Sequence, residues 1–159
     1  METLLSTVAE QKLTLRSLVN DLISVLVPVT GRNKTFIINE VPLELELAAN
    51  TDLVRTVLSN LFSTVAMHSS DSCIRICAKT YSNVVLVQVR DQNSPNSYTI
   101  AQSLQSTQPI AERIGGFLGV TSQRKNETVI VFSFPNLPEN KFHFDTKNTP
   151  ANQYRGLRR

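Results

Sequence analysis

Residues 52–91 constrain the fold more than any other stretch, because a helical pattern, a polar turn and two strand patterns follow one another there without a gap. At helical spacing Val54, Val57, Leu58, Leu61 and Val65 make one apolar stripe, and Thr56, Asn60, Ser63, Thr64 and Met67 share a neighbouring strip. One side of this helix is for packing, and the other faces a ligand or solvent. Thr51 is expected to cap it and Asp52 to suit the positive end of its dipole. After the polar turn 69–72, residues 73–81 and 84–90 are dense in β-branched side chains, with Ser82 and Asn83 between them. That reads as a hairpin, and a helix laid across two antiparallel strands is the nucleus of an α+β layer.

Upstream, Thr14 is placed to cap a helix whose stripe is Leu15, Leu18, Val19, Leu22, Ile23 and Leu26, ended by Pro28 and Gly31. Residues 35–39 and 43–48 read as strands, the second alternating Leu43, Leu45 and Leu47 with Glu44 and Glu46. Downstream, 92–97 is loop by composition, and Ile100, Leu104, Ile110, Ala111 and Ile114 mark a third helical region interrupted at Pro109. Gly115 and Gly116 end it, and 117–122 with 128–134 make a final hairpin around Lys125 and Asn126. The expected architecture is a two-layer α/β sandwich, a mixed and mostly antiparallel sheet covered on one face by about three helices.

At 159 residues, with 41% apolar and 18% charged side chains, the chain suits one soluble domain with a substantial core. Residues 12–135 form that domain. Residues 1–11, with Leu4, Leu5 and Val8 at helical spacing, suit the last turns of an upstream helix, and 136–159 read as a basic polar tail in which Phe142 and Phe144 dock locally at most. No apolar run approaches the ~18 residues of a membrane span, and no secretory signal is visible.

The net charge of +3 comes largely from the tail, and no basic stripe with interleaved aromatics argues for nucleic acid. Cys73 and Cys77 lie four apart on one strand, ~13 Å from each other at about 3.3 Å per residue, so they cannot pair. With only two histidines, far apart in sequence, the thiols read as buried and reduced, as in a cytoplasm, rather than as a metal site. No Ser/His/Asp or Cys/His spacing points to nucleophilic catalysis.

The order of these elements resembles the ATP-binding domain of sensor histidine kinases, the GHKL or Bergerat fold, over residues 12–135. Residues 53–62 are similar to the helix carrying the family's N box, 87–91 to the strand entering its G1 box, and 110–116 to the helix and turn after its G2 box. Residues 1–10 look like the end of the preceding dimerisation helix.

The resemblance implies a nucleotide site whose positions are here Asn60, Thr64, His68 and Asp91. The N-box asparagine that would hold Mg²⁺ is replaced by Thr64, with Asn60 one turn earlier either reaching inward or serving as an ordinary helix-face amide. Met67 stands where the family has a basic residue, and His68 either donates to phosphate or flanks the turn. Asp91 matches the aspartate that meets the adenine amino group, or is a loop-capping carboxylate.

The two G1 glycine positions are Asn93 and Pro95, and the five glycines, at 31, 115, 116, 119 and 156, leave both glycine boxes empty. The 92–99 loop is too short for the family's flexible lid. Neither His68 nor His143 sits in a phosphoacceptor context.

The expectation is therefore a degenerate histidine-kinase ATPase-like domain, with no catalytic residue, metal or cofactor. It would act as a binding or regulatory module toward a protein partner in two-component signalling, a kinase core or response regulator. The alternative is an atypical working domain that takes ATP with Mg²⁺ through Asn60 or Thr64 and Asp91. A third reading is an adaptor whose first helix pairs with another copy.

Overall fold

The computed structural model describes residues 12–122, 124 and 126–138. The expected helix at 1–11, most of the tail, His143 and part of the last hairpin's turn lie outside the described residues.

The chain enters through α1 (Leu15–Val25), whose N-cap Thr14 accepts a hydrogen bond from Ser17 N and whose Leu15, Leu18 and Val19 are fully buried. Pro28 does not stop the helical path as expected. The chain turns at Leu26 and resumes as α2 (Val27–Arg32) with Pro28 in its first turn, where the missing N–H has no helical partner to lose. Strand β1 (Phe36–Asn39) follows.

The second strand expected at 43–48 is absent. Residues 43–44 form a turn, and only Glu46 bridges, antiparallel, to Thr14. Leu15 N donates to Leu45 O and Leu47 N to Leu13 O, both at 2.9 Å. The Leu/Glu alternation thus lays Leu45 and Leu47 on the core from beside the start of α1, while Leu43 stays outside.

Helix α3 (Thr51–Met67) is capped by Asn50, not by Thr51. The Asn50 side chain accepts from Leu53 N at 3.1 Å, one residue earlier than the sequence suggests. The stripe Val54, Val57, Leu58, Leu61 and Val65 is buried as expected, joined by Phe62 and Ala66. β2 (Cys73–Tyr81) and β3 (Val84–Asp91) form the expected hairpin, with Ser82 at positive φ in its turn.

The third helical region is three pieces: α4 (Ser97–Ser103), a 3₁₀ turn (Gln105–Thr107) and α5 (Gln108–Arg113), so the interruption precedes Pro109 and Ser97 belongs to helix. Gly115, at φ 83, closes α5. β4 (Phe117–Thr121) and β5 (Thr128–Pro135) complete the sheet. A Cβ on Gly116 would collide with the Ser133 carbonyl, which explains a second glycine there.

The sheet order is β1-β2-β3-β5-β4, with β1 parallel to β2 and the other pairs antiparallel. The parallel pair exists because α3 carries the chain across between its strands. Alternate residues Ile74, Ile76, Ala78, Val85, Val87, Val89, Phe132 and Phe134 are buried with the α1 and α3 stripes in one core. Cys73 and Cys77 are free but half-buried rather than buried, because they alternate with the inward Ile74, Ile76 and Ala78. Asn136, read as tail, is tied in: its Oδ1 accepts from Ala48 N and Ala49 N, and its own N donates to Asn83 O.

Candidate functional site

Asn60, Thr64 and His68 lie at intervals of four, so they share one strip of α3 that runs from its middle to its C-cap. Asp91 ends β3, level with Ile74 on β2 and Thr128 on β5. It continues the inward alternation of Val85, Val87 and Val89, and is therefore fully buried.

The Asp91 carboxylate has two differently used oxygens. Oδ1 accepts from the Ser72 hydroxyl and, at 3.1 Å, from Asn93 N. Oδ2 is buried with no hydrogen-bond partner. A buried acceptor left open carries a desolvation penalty, and the chemistry that relieves it is an N–H or O–H donor.

The loop between β3 and α4 is held from several sides. Ser94 is fully buried, its N donates to Asn126 O at 2.7 Å, and its carbonyl accepts from Thr128 Oγ1 at 3.1 Å. Asn93 Nδ2 donates to Ser70 O and Asn96 Nδ2 to His68 O, at 3.3 and 3.2 Å, so two side-chain amides bind the loop to the end of α3. Pro95 has no N–H. Across 93–95, then, every backbone N–H that exists is spent inside the chain.

Asn60 Nδ2 donates to Thr107 Oγ1 at 3.1 Å, joining α3 to the 3₁₀ turn. His68 Nδ1 lies 2.8 Å from Thr64 O. A carbonyl only accepts, so Nδ1 is the donor in this bond. Met67, between them in sequence, is 67% exposed. The structure thus gathers Thr64 and His68 at one end of α3 beside the loop that follows Asp91, and engages Asn60 toward Thr107.

Sequence reasoning missed Ser72, Ser94, Asn96, Thr107 and Thr128, the partners that hold these groups. It also missed a salt bridge, Arg90 to Glu127 at 2.8 Å, in which the Glu127 side chain is only 5% exposed. The strand period was a sufficient signal for the burial of Asp91. No sequence signal identified its partners. Among the described residues no group of three His, Cys, Asp or Glu could hold a metal, and no helix is long and apolar enough to cross a membrane.

No family model matches the sequence, and a comparison with curated proteins finds no match. Solved structures are. The chain superposes on the histidine kinase AdeS of Acinetobacter baumannii with a TM-score of 0.68 at 10% identity, over 79% of this chain and 66% of that one. The catalytic domain of the histidine kinase ThkA gives a TM-score of 0.68 at 18% identity, over 81% of this chain and 97% of that domain.

The fold is that of a histidine-kinase ATPase domain.

ThkA in complex with the response regulator TrrA is also similar, at a TM-score of 0.66 and 18% identity, with this chain spanning 48% of that one. Residues 53–62 and 87–91, whose sequence resembles the N-box helix and the strand entering the G1 box, lie on α3 and β3. The five-stranded sheet and its helices are as the resemblance implies.

Proposed function

We propose that this chain is a degenerate histidine-kinase ATPase-like domain without productive ATP chemistry, acting as a binding or regulatory module in two-component signalling. The observation that carries this reading is the internally satisfied loop at 93–95. A nucleotide approached closely by main chain needs backbone there that is bare and has N–H groups to spare. Here the Asn93 and Ser94 N–H groups go to Asp91 and Asn126, and Pro95 has none. Met67 and Thr64 in the place of a cation and an amide support the same reading. Thr64 and Met67 do not fit a triphosphate with Mg²⁺.

Asn60, Thr64, His68 and Asp91 are then vestigial positions of an ATP site. The domain would work in the cytoplasm on a signalling protein, a kinase core or a response regulator, as ThkA binds its regulator TrrA. Calorimetric titration with Mg-ATP tests the loss: no saturable heat is expected, and a micromolar Kd overturns it.

One observation favours a second reading, an atypical working ATP-binding domain. Asp91 Oδ2 is a buried acceptor without a partner, which suits the amino group of an adenine. Nucleotide protection against heating, abolished by Asp91→Asn, would support that reading. No protection of the unaltered chain removes it.

A further inference from the structure

The loop at 92–97 is held against Asp91 by polar contacts alone. Its one apolar side chain, Pro95, is exposed, and Ser94 is its only buried residue. Asn93 N donates to Asp91 Oδ1, so the loop lies against the carboxylate. Two separate bodies hold it there. Asn93 Nδ2 and Asn96 Nδ2 reach Ser70 O and His68 O at the end of α3. On the other side Ser94 N donates to Asn126 O, Thr128 Oγ1 donates to Ser94 O, and Ser97 Oγ lies 2.7 Å from Thr128 Oγ1.

Against these bonds stand two buried oxygens without a partner, Asp91 Oδ2 and Ser94 Oγ. Closure takes both out of water and gives neither a hydrogen bond in return, so the closed loop carries a desolvation penalty that opening removes. A segment with exposed residues and no buried apolar side chain belongs to the low-stability end of a fold.

We propose that 92–97 is an autoinhibitory strap, which comes away from α3 and β5 as a unit while the helices and the sheet stay folded. Only the open form presents the Asp91 carboxylate and the Ser94 N–H to a ligand. Closed, Asp91 is fully buried and the N–H groups of Asn93 and Ser94 are both engaged. Whatever binds at Asp91 therefore binds the open fraction, and its apparent affinity falls with that fraction. The inference deepens the reading of 93–95 as an internally satisfied loop and rests on it. Its test uses no nucleotide, so a micromolar Kd for Mg-ATP would refute the loss of ATP chemistry and leave the strap standing.

Residue-resolved amide hydrogen exchange of the full chain, at several urea concentrations below unfolding, is the test. The Ser94 amide should exchange about tenfold or more faster than that of Val89 in β3, at a rate nearly independent of urea, because local opening exposes little surface. Ser94→Ala removes the unpartnered hydroxyl and should raise protection of the residue-94 amide several-fold. Thr128→Val removes the donor to the Ser94 carbonyl and should lower it several-fold. Coupling of Asp91 to glycinamide by a water-soluble carbodiimide, read by peptide mass, should slow in the first variant and quicken in the second.

A Ser94 amide as slow and as urea-sensitive as Val89 overturns the proposal. So does protection at residue 94 that is unchanged or lowered by Ser94→Ala, which would show that the buried hydroxyl does not work against closure. Asp91 coupling indifferent to both substitutions would equally overturn it, because access to the carboxylate would not depend on the loop.

Discussion

Asn96 donates its side-chain amide to the backbone carbonyl of His68 at 3.2 Å, and this bond joins the loop after β3 to the C-terminal end of α3. That end has no basic residue in its last turn, so its carbonyls depend on such donors. Asn96→Ala should cost about 1 kcal/mol of stability. It should also speed amide hydrogen exchange across 92–96 while leaving β2 and β3 protected. Unchanged exchange would mean that Ser94, anchored to Asn126 and Thr128, holds the loop without the α3 contact.

Asp91 has a structural task whatever binds nearby. Asp91→Ala leaves the Ser72 hydroxyl and the Asn93 N–H without their acceptor, against some relief from removing an unpartnered buried oxygen. The expected net loss is about 2 kcal/mol. Asp91→Asn keeps an oxygen in the Oδ1 position and should cost less. Chemical denaturation of both variants without nucleotide checks the order. A reversed order would show that the open Oδ2 dominates the energetics of the site.

Two neighbouring residues compete for the start of α3. Because the Asn50 side chain accepts the Leu53 N–H, Asn50→Ala should cost about 1 kcal/mol, whereas Thr51→Ala, inside the first turn, should change stability by a few tenths of a kcal/mol at most. Thermal unfolding of the two variants separates them. Equal losses would return the cap to Thr51.

Two glycines should respond in opposite directions to alanine. At Gly116 an added Cβ meets the Ser133 carbonyl and crowds Phe134 and the Ala111 carbonyl, so Gly116→Ala forces α5 off the sheet and should cost about 1 to 3 kcal/mol. At Gly31, in α2, a Cβ meets nothing within 4 Å. Gly31→Ala should stabilise by about 0.4 to 1 kcal/mol through the unfolded chain. Melting temperatures moving the same way in both variants would contradict this placement of α5.

The elements were legible where a local period was strong. The α3 stripe from Val54 to Val65 and the hairpins 73–91 and 117–134 lie where their spacing puts them, and the same period buries Asp91. The reading failed where a period had two physical solutions. Residues 43–48 alternate like a strand, yet their backbone groups are met by the chain at 13–15 and by the Asn136 side chain, and they form no ladder in the sheet. Pro28 breaks a helix and equally suits the first turn of the next.

The sequence by itself determined the layered sandwich, through periodicities that each helix and strand carries in its own neighbouring residues. It also determined that the loop after Asp91 lacks glycine. Only the tertiary structure decided what the polar side chains around that loop do. Asn96 meets His68 across 28 positions, Thr128 meets Ser94 across 34, and Asn60 meets Thr107 across 47. A hydrogen bond needs its two atoms within about 3 Å, and at such separations only the packing of the whole core brings them there.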